Sequence, residues 1–244
     1  MDAHPEHLRR RILASAPGAP WVTYYDPDSG GRIELSAATH ANWVAKAAGL
    51  LSEEFDVGPG SVVVVEVGRH WLLHVWTWTA WALGASVGLG DAVRQADVAV
   101  VAADSPLLTR IAPSTPVLAC PTDALARPLG RATPTGAIDV MADIAGFPDQ
   151  ISLPLPAASS PAVVSDQGVI TGRTAVETAQ RIPSHPGTRL LVSADPSTVE
   201  GLLACTLSAA TMSGSTILID PGLAGAARDA IVAQERVDVE VLRA

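Results

Sequence analysis

Ser61-Val62-Val63-Val64-Val65-Glu66-Val67, a helix-period stretch from His70 to Leu83, and then Ala85-Ser86-Val87-Gly88-Leu89 decide the fold of this 244-residue chain. The first run is apolar on both alternating faces, which suits a strand covered above and below. Gly84 closes the helix, and the next apolar run returns as a strand, so the unit reads as β-α-β with a parallel pair. Working outward, Ser36 is placed to cap an earlier helix through Trp43, Ala47, Leu50 and Leu51, which Gly58-Pro59-Gly60 ends. Val98 to Ala102 and Val117 to Ala119 read as further strands. From Arg127 to Pro161 six prolines leave room only for a short helix near Ile138 to Ala145. Alternation then resumes, with strands at 162–165, 189–192, 215–219 and 237–242 and helices at 173–181, 196–212 and 224–234. The fold class is α/β, predicted as two doubly wound, mainly parallel halves: 1–128, a Pro-rich connection at 129–160, and 161–244.

Composition narrows the function. Acidic residues outnumber basic ones by 25 to 16, a formal charge of -9 that repels nucleic acid and anionic membrane. No apolar run approaches the roughly 18 residues a membrane span needs, and Arg9-Arg10-Arg11 gives way to Pro17-Gly18 without a signal-peptide core. A cytoplasmic protein without nucleic-acid or membrane partners is expected. Cys120 and Cys205 have no metal-type spacing and read as small core residues. Lysine occurs once, at Lys46.

Several stretches carry a resemblance. Pro20-Trp21-Val22-Thr23-Tyr24-Tyr25-Asp26, Arg32-Ile33-Glu34-Leu35-Ser36, Val57-Gly58-Pro59-Gly60-Ser61 and Trp81-Ala82-Leu83-Gly84-Ala85 are similar to the N-terminal part of the AMP-binding, adenylate-forming enzymes such as acyl-CoA synthetases. Gly168-Val169-Ile170-Thr171-Gly172-Arg173 resembles the strand and helix start after that family's phosphate loop, and Arg189 to Asp220, with Pro196 and Gly201, the next strand, helix and strand. The pattern corresponds to about the first half of a full-length member, and it is also similar to a small group of stand-alone proteins with this shortened pattern.

The resemblance implies a Ser/Thr/Gly-rich phosphate loop ending in Pro-Lys-Gly. Here the corresponding stretch is Val163-Val164-Ser165-Asp166-Gln167-Gly168, with Gln167 in the lysine position and Asp166 adding negative charge. A glycine-poor loop wraps a phosphate badly, and an unpaired carboxylate repels one. The family's adenine- and ribose-binding elements and its catalytic-lysine domain have no counterpart in the 244 residues. The expectation is therefore no catalysis and no cofactor: a binding or protein-interaction module. Two alternatives stay open, a half-enzyme for acyl activation completed by a separate chain, and a protein that binds a CoA or acyl ligand. Ligands of doubly wound sheets sit at the carboxyl ends of strands, which nominates Ser165, Asp166, Gln167, Gly168, Thr171, Arg173 and Ser193 as cleft residues.

Other constellations weigh less. His70 and His74 share a helix face but lack a third ligand, so a structural pair is expected and no metal. His4 and His7 fall in a stretch expected to fray. Trp71, Trp76, Trp78 and Trp81 crowd one helix, read mainly as core, with an interface such as a homodimer as their other use. Gly88-Leu89-Gly90-Asp91-Ala92-Val93 lacks the third glycine of a dinucleotide loop. Asp195-Pro196 reads as a helix cap and first turn.

Overall fold

Alternating valines set the layers. In the computed structural model, which describes residues 3–242, Val63 and Val65 point into one apolar cluster and Val64 into another on the opposite face of the sheet. The chain runs α1 (Pro5–Ser15), β1 (Pro20–Tyr25), β2 (Arg32–Ser36), α2 (Ala37–Phe55), β3 (Val62–Glu66), α3 (Trp71–Ala82), β4 (Ser86–Gly88), β5 (Val98–Ala102), β6 (Val117–Cys120) and β7 (Ile138–Asp139). It continues through α4 (Val140–Asp143), β8 (Pro161–Ser165), β9 (Gly168–Thr171), α5 (Gly172–Ala179), β10 (Arg189–Val192), α6 (Val199–Thr206), α7 (Ser208–Thr211), β11 (Ser215–Leu218), α8 (Gly225–Glu235) and β12 (Val239–Val241). A seven-stranded sheet has the order β7-β6-β5-β3-β4-β8-β9, parallel except for the last pair, and a five-stranded sheet the order β12-β10-β11-β1-β2, parallel except for β1-β2.

The sheets exchange strands across the Pro-rich connection. The β1-β2 hairpin joins β11 of the later segment, and the β8-β9 hairpin joins β4 of the earlier one. The expected boundary at 129–160 is thus not a division between sheets: alternation along the chain reports which elements exist, and strand partners are chosen by packing. The exchange is held at one edge by Glu235, at the end of α8, which accepts from the Tyr25 hydroxyl (2.6 Å), from Arg32 Nε (2.6 Å) and from Arg189. Burial works to raise its carboxyl, but the hydrogen bonds from Arg32 and Tyr25 outweigh it and hold the group at about 2.

Helix α3 lies between the layers, touching β3 and β4 of one sheet and β1 of the other, with all twelve of its residues buried. Trp71, Trp78 and Trp81 each donate an indole N–H to a main-chain carbonyl, of Ala124, Thr206 and Ala162. The tryptophans are core, so this helix offers no ring to a homodimer. Two further expectations need correction. The N-terminal stretch forms α1, capped by His4, which accepts from Glu6 N–H and is fully buried. The helix expected from Pro196 begins at Val199 with Thr198 as its cap (3.0 Å to Gly201 N), while Asp195 turns the preceding loop by accepting from Ser197 N–H. Ser36 caps α2 as expected; its stop is Asp56 in the left-handed region at φ 53°, two residues before the glycines. Among the described residues no helix is long and apolar enough to cross a membrane.

Candidate functional site

The carboxyl ends of β3, β4, β5, β10 and β11 face a common cleft, where the sequence expected a site. It has two chambers. The larger, about 530 Å³, is walled mainly by apolar side chains, among them Val64, Leu73, Leu89, Val93 and Leu107, with Arg110 and residues 195–197 at its edge. The smaller, about 360 Å³, is polar and includes Tyr24, Glu66, Asp104, Ser105, Thr122 and Asp220. Residues 66–69 and Pro106 line both, so the turn after β3 is the partition.

Each polar group on the partition is held from elsewhere. Glu66 accepts a hydrogen bond from the Ser105 hydroxyl; burial raises its carboxyl, which the Ser105 bond opposes and the charge of Asp104 reinforces. Arg69 Nε donates across the cleft to the carbonyls of Ser193 (2.9 Å) and Ala194 (2.7 Å), tying the β3-α3 turn to the β10-α6 loop. His70 caps α3: Nδ1 accepts from Leu72 N–H at 3.2 Å, so Nε2 carries the proton and faces the Asp123 carbonyl at 3.1 Å. Burial lowers its pKa to about 4, and the imidazole is neutral near pH 7. Tyr24 donates to Asp26 at 3.4 Å, and burial, then the Asp26 charge, push its phenol up.

The seven residues nominated from sequence do not come together there, and none lines either chamber. Ser165, Asp166, Gln167 and Gly168 form a two-residue hairpin turn, with Ser165 paired to Gly168. Gln167 N–H donates to Ser165 Oγ at 3.2 Å. The Asp166 carboxylate accepts from Asp91 N–H at 2.7 Å and lies against Gly90 so closely that a Cβ there would sit 2.7 Å from both its oxygens; Gly90 is on the rim of the larger chamber. Thr171 and Arg173 belong to the opposite end of the sheet, because β9 runs back antiparallel and Thr171 pairs with Pro161 at the start of β8. Thr171 caps α5 there. Ser193 is buried at the cleft edge, its hydroxyl donating to the Leu242 carbonyl at 2.8 Å while its own carbonyl receives Arg69. Sequence reasoning missed the partition; a Val-rich run ending in Glu66-Val67-Gly68-Arg69 places two charges at a strand's carboxyl end, which was the available signal.

The remaining candidates resolve into structural roles. His74 Nδ1 and His40 Nε2 share one hydrogen bond at 2.9 Å in a fully buried cage with Trp21 and Trp78. Both thiols are buried and free, and desolvation pushes the Cys205 thiol up to about 12. Among the described residues no three His, Cys, Asp or Glu side chains converge as metal ligands would. Lys46 points away from the cleft, donating to the Phe147 (2.6 Å) and Ala145 (3.3 Å) carbonyls and pairing with Asp149. It clamps the Pro-rich connection onto α2. Lys46→Met is expected to cost about 1–2 kcal/mol, chiefly from the carbonyl bonds, since the Asp149 carboxylate is exposed and its pair contributes little. Limited proteolysis within 148–155 should accelerate several-fold; unchanged cleavage would remove the clamp from the account.

Comparison with known proteins follows the geometry. No protein-family profile matches the chain. A TIGR03089 family protein of Mycobacterium tuberculosis is 43% identical over 93 residues, 38% of this chain and 37% of that protein. Among solved structures, an acyl-CoA synthetase of Brucella canis superposes with a TM-score of 0.82 at 17% identity, over 98% of this chain and 47% of that one. A coronafacic acid ligase of Pectobacterium brasiliense gives 0.70 at 11% identity, over 88% and 45%. The chain therefore shares the fold of this acyl-CoA synthetase and this ligase, in line with the resemblance, and spans less than half their length.

Proposed function

We propose that this chain, built on a fold it shares with an acyl-CoA synthetase, holds a small ligand of acyl or CoA-fragment type in the cleft between its sheets and does not adenylate it. The observation that carries this reading is the β8-β9 turn. Adenylation needs a grip on a triphosphate, made from a run of open backbone amides, hydroxyls and a cation. Here the connection is two residues long, one amide is taken by Ser165, and the carboxylate of Asp166 occupies the neighbouring Asp91 amide. A phosphate brought about 4 Å from that carboxylate would meet roughly 1–4 kcal/mol of repulsion for each pair of unit charges, depending on its exposure to water. The single lysine of the chain, Lys46, is committed to the 145–149 segment.

The open, partly polar cleft favours a ligand site over a surface already filled for a protein partner, and in this reading the protein works in the reducing cytoplasm. Calorimetry with magnesium-ATP is expected to give no heat up to millimolar concentration, and no carboxylic acid should release pyrophosphate from ATP. An apolar fluorescent probe should bind saturably with one-to-one stoichiometry. Pyrophosphate release, or ATP heat at that turn, would return the chain to acyl activation, including the half-enzyme completed by a second chain. If no small probe binds, the cleft is not a ligand site and the proposal falls.

A further inference from the structure

We infer that Arg69 is the specificity-determining residue of the larger chamber, selecting an apolar ligand that carries one compact negative group. The inference rests on the ligand-binding reading above and adds to it the sign of the ligand's charge and the residue that reads it. Arg69 Nε is fixed by two main-chain acceptors from the opposite sheet, which orients the guanidinium before any ligand arrives. Among the described residues no other hydrogen bond or ion pair reaches this side chain, so its two terminal nitrogens keep four N–H donors for the cleft it lines.

The balance of charge around it differs between the chambers. Glu66 is engaged by Ser105, a residue of the smaller chamber, and Asp195, at the edge of the larger one, is used by the Ser197 amide. Arg110, at the edge of the larger chamber, pairs among the described residues with Asp91 at 3.7 Å, with both groups exposed, an interaction that contributes little. Glu66 and Arg69 line both chambers, but the smaller one adds Asp104 and Asp220 whereas the larger one adds Asp195 and Arg110, so the balance of charge meets a negative group more favourably in the larger chamber. An apolar body against Leu73, Leu89 and Leu107 would then direct its anionic end at Arg69. The Ser193 and Ala194 carbonyls that hold the guanidinium sit just before residues 195–197 of the chamber edge, which places the arginine beside that wall.

The test uses two dyes with one fluorescent body, anilinonaphthalene sulfonate and uncharged phenylnaphthylamine. The native protein is expected to prefer the sulfonate by about tenfold, the scale of one charge-assisted hydrogen bond. Arg69→Met should bring the ratio of the two affinities to about one while the neutral dye stays within about threefold, and Arg69→Lys should recover part of the preference. Leu107→Trp, which fills the chamber, should weaken both. A purely structural role for Arg69 would weaken both dyes together and keep their ratio, which overturns the inference. So does equal binding of the two dyes by the native protein, which leaves the ligand-binding reading intact. Failure of both dyes to bind removes that reading as well.

Discussion

Lowering the pH from 7.5 to 5 is expected to remove most of the folding stability, well before the carboxylates titrate. Four imidazoles are buried: His4, His40, His70 and His74. Desolvation dominates each, lowering His74 to about 3, His4 and His70 to about 4, and His40 well below 6.5. The unfolded chain protonates these groups near pH 6.5, while in the native chain His4, His70 and His74 are protonated only at about pH 4 or lower and His40 well below 6.5. Between those limits the unfolded state binds more protons, so stability falls as pH falls. His4, His70 and His74 then each contribute a loss of about 2 kcal/mol between pH 7.5 and 5, roughly 6 kcal/mol together, and His40 adds to it in the same direction, a total comparable with the whole stability of an ordinary domain. Glu66, raised by burial, works in the opposite direction, but it is one group against four. Glu235, held at about 2, adds its own loss only below about pH 4.5. Urea midpoints at pH 7.5, 6 and 5 check the slope, and His74→Gln should flatten it by about one proton. A midpoint that does not move across this range would mean that the four rings are not buried neutral.

The same cage shows why the sequence was legible for some things and not others. His74, Trp78 and Trp81 on one helix indicate a buried element, and α3 is one. What they meet was not readable: His40 is 34 residues earlier on α2, and Trp21 lies on a strand of the other sheet. Element existence is written locally, in period and caps such as Ser36. Partner choice is written in shape. The β1-β2 and β8-β9 hairpins each carry an antiparallel return that a βαβ reading does not foresee, and each crosses to the sheet of the other segment.

The site followed the same division. That a cleft lies at the carboxyl ends of the strands followed from the parallel order. The residues nominated for it came from the same rule, applied to the stretch that the resemblance aligns with a phosphate loop, and that stretch is where this chain departs most. A two-residue turn replaces a loop, so Thr171 and Arg173, close to Asp166 in sequence, end at the far end of the sheet. The residues that do line the cleft come from turns with no sequence signature beyond a charge after an apolar run, Glu66 and Arg69 among them.

Gly201→Ala is expected to be the most damaging single methyl group that can be added near the cleft. A Cβ at Gly201 would lie 1.8 Å from the Asp195 carbonyl oxygen and 2.6 Å from its carbon, main-chain atoms that no rotamer can move. That carbonyl is also pinned, since it accepts from Thr198 N–H at 3.2 Å and from the Thr198 hydroxyl at 3.0 Å. Relief requires α6 and the 193–198 loop to part, which would pull the Ser193 and Ala194 carbonyls from Arg69 and open the chamber wall. Overpacking against a fixed backbone costs about 3 kcal/mol or more, which for a chain of this size lowers the melting temperature by roughly 6–12 °C. Gly58→Ala is the control, because a Cβ there meets nothing within 4 Å and its φ is not in the left-handed region. It should melt within a degree or two of the native protein. Gly201→Ala should also lose dye binding at temperatures where it remains folded, because the wall and the arginine that reads the ligand are positioned by one loop. If the variant melts like Gly58→Ala and binds both dyes normally, the loop is not packed on α6 as described, and the preorganisation of Arg69 loses its support.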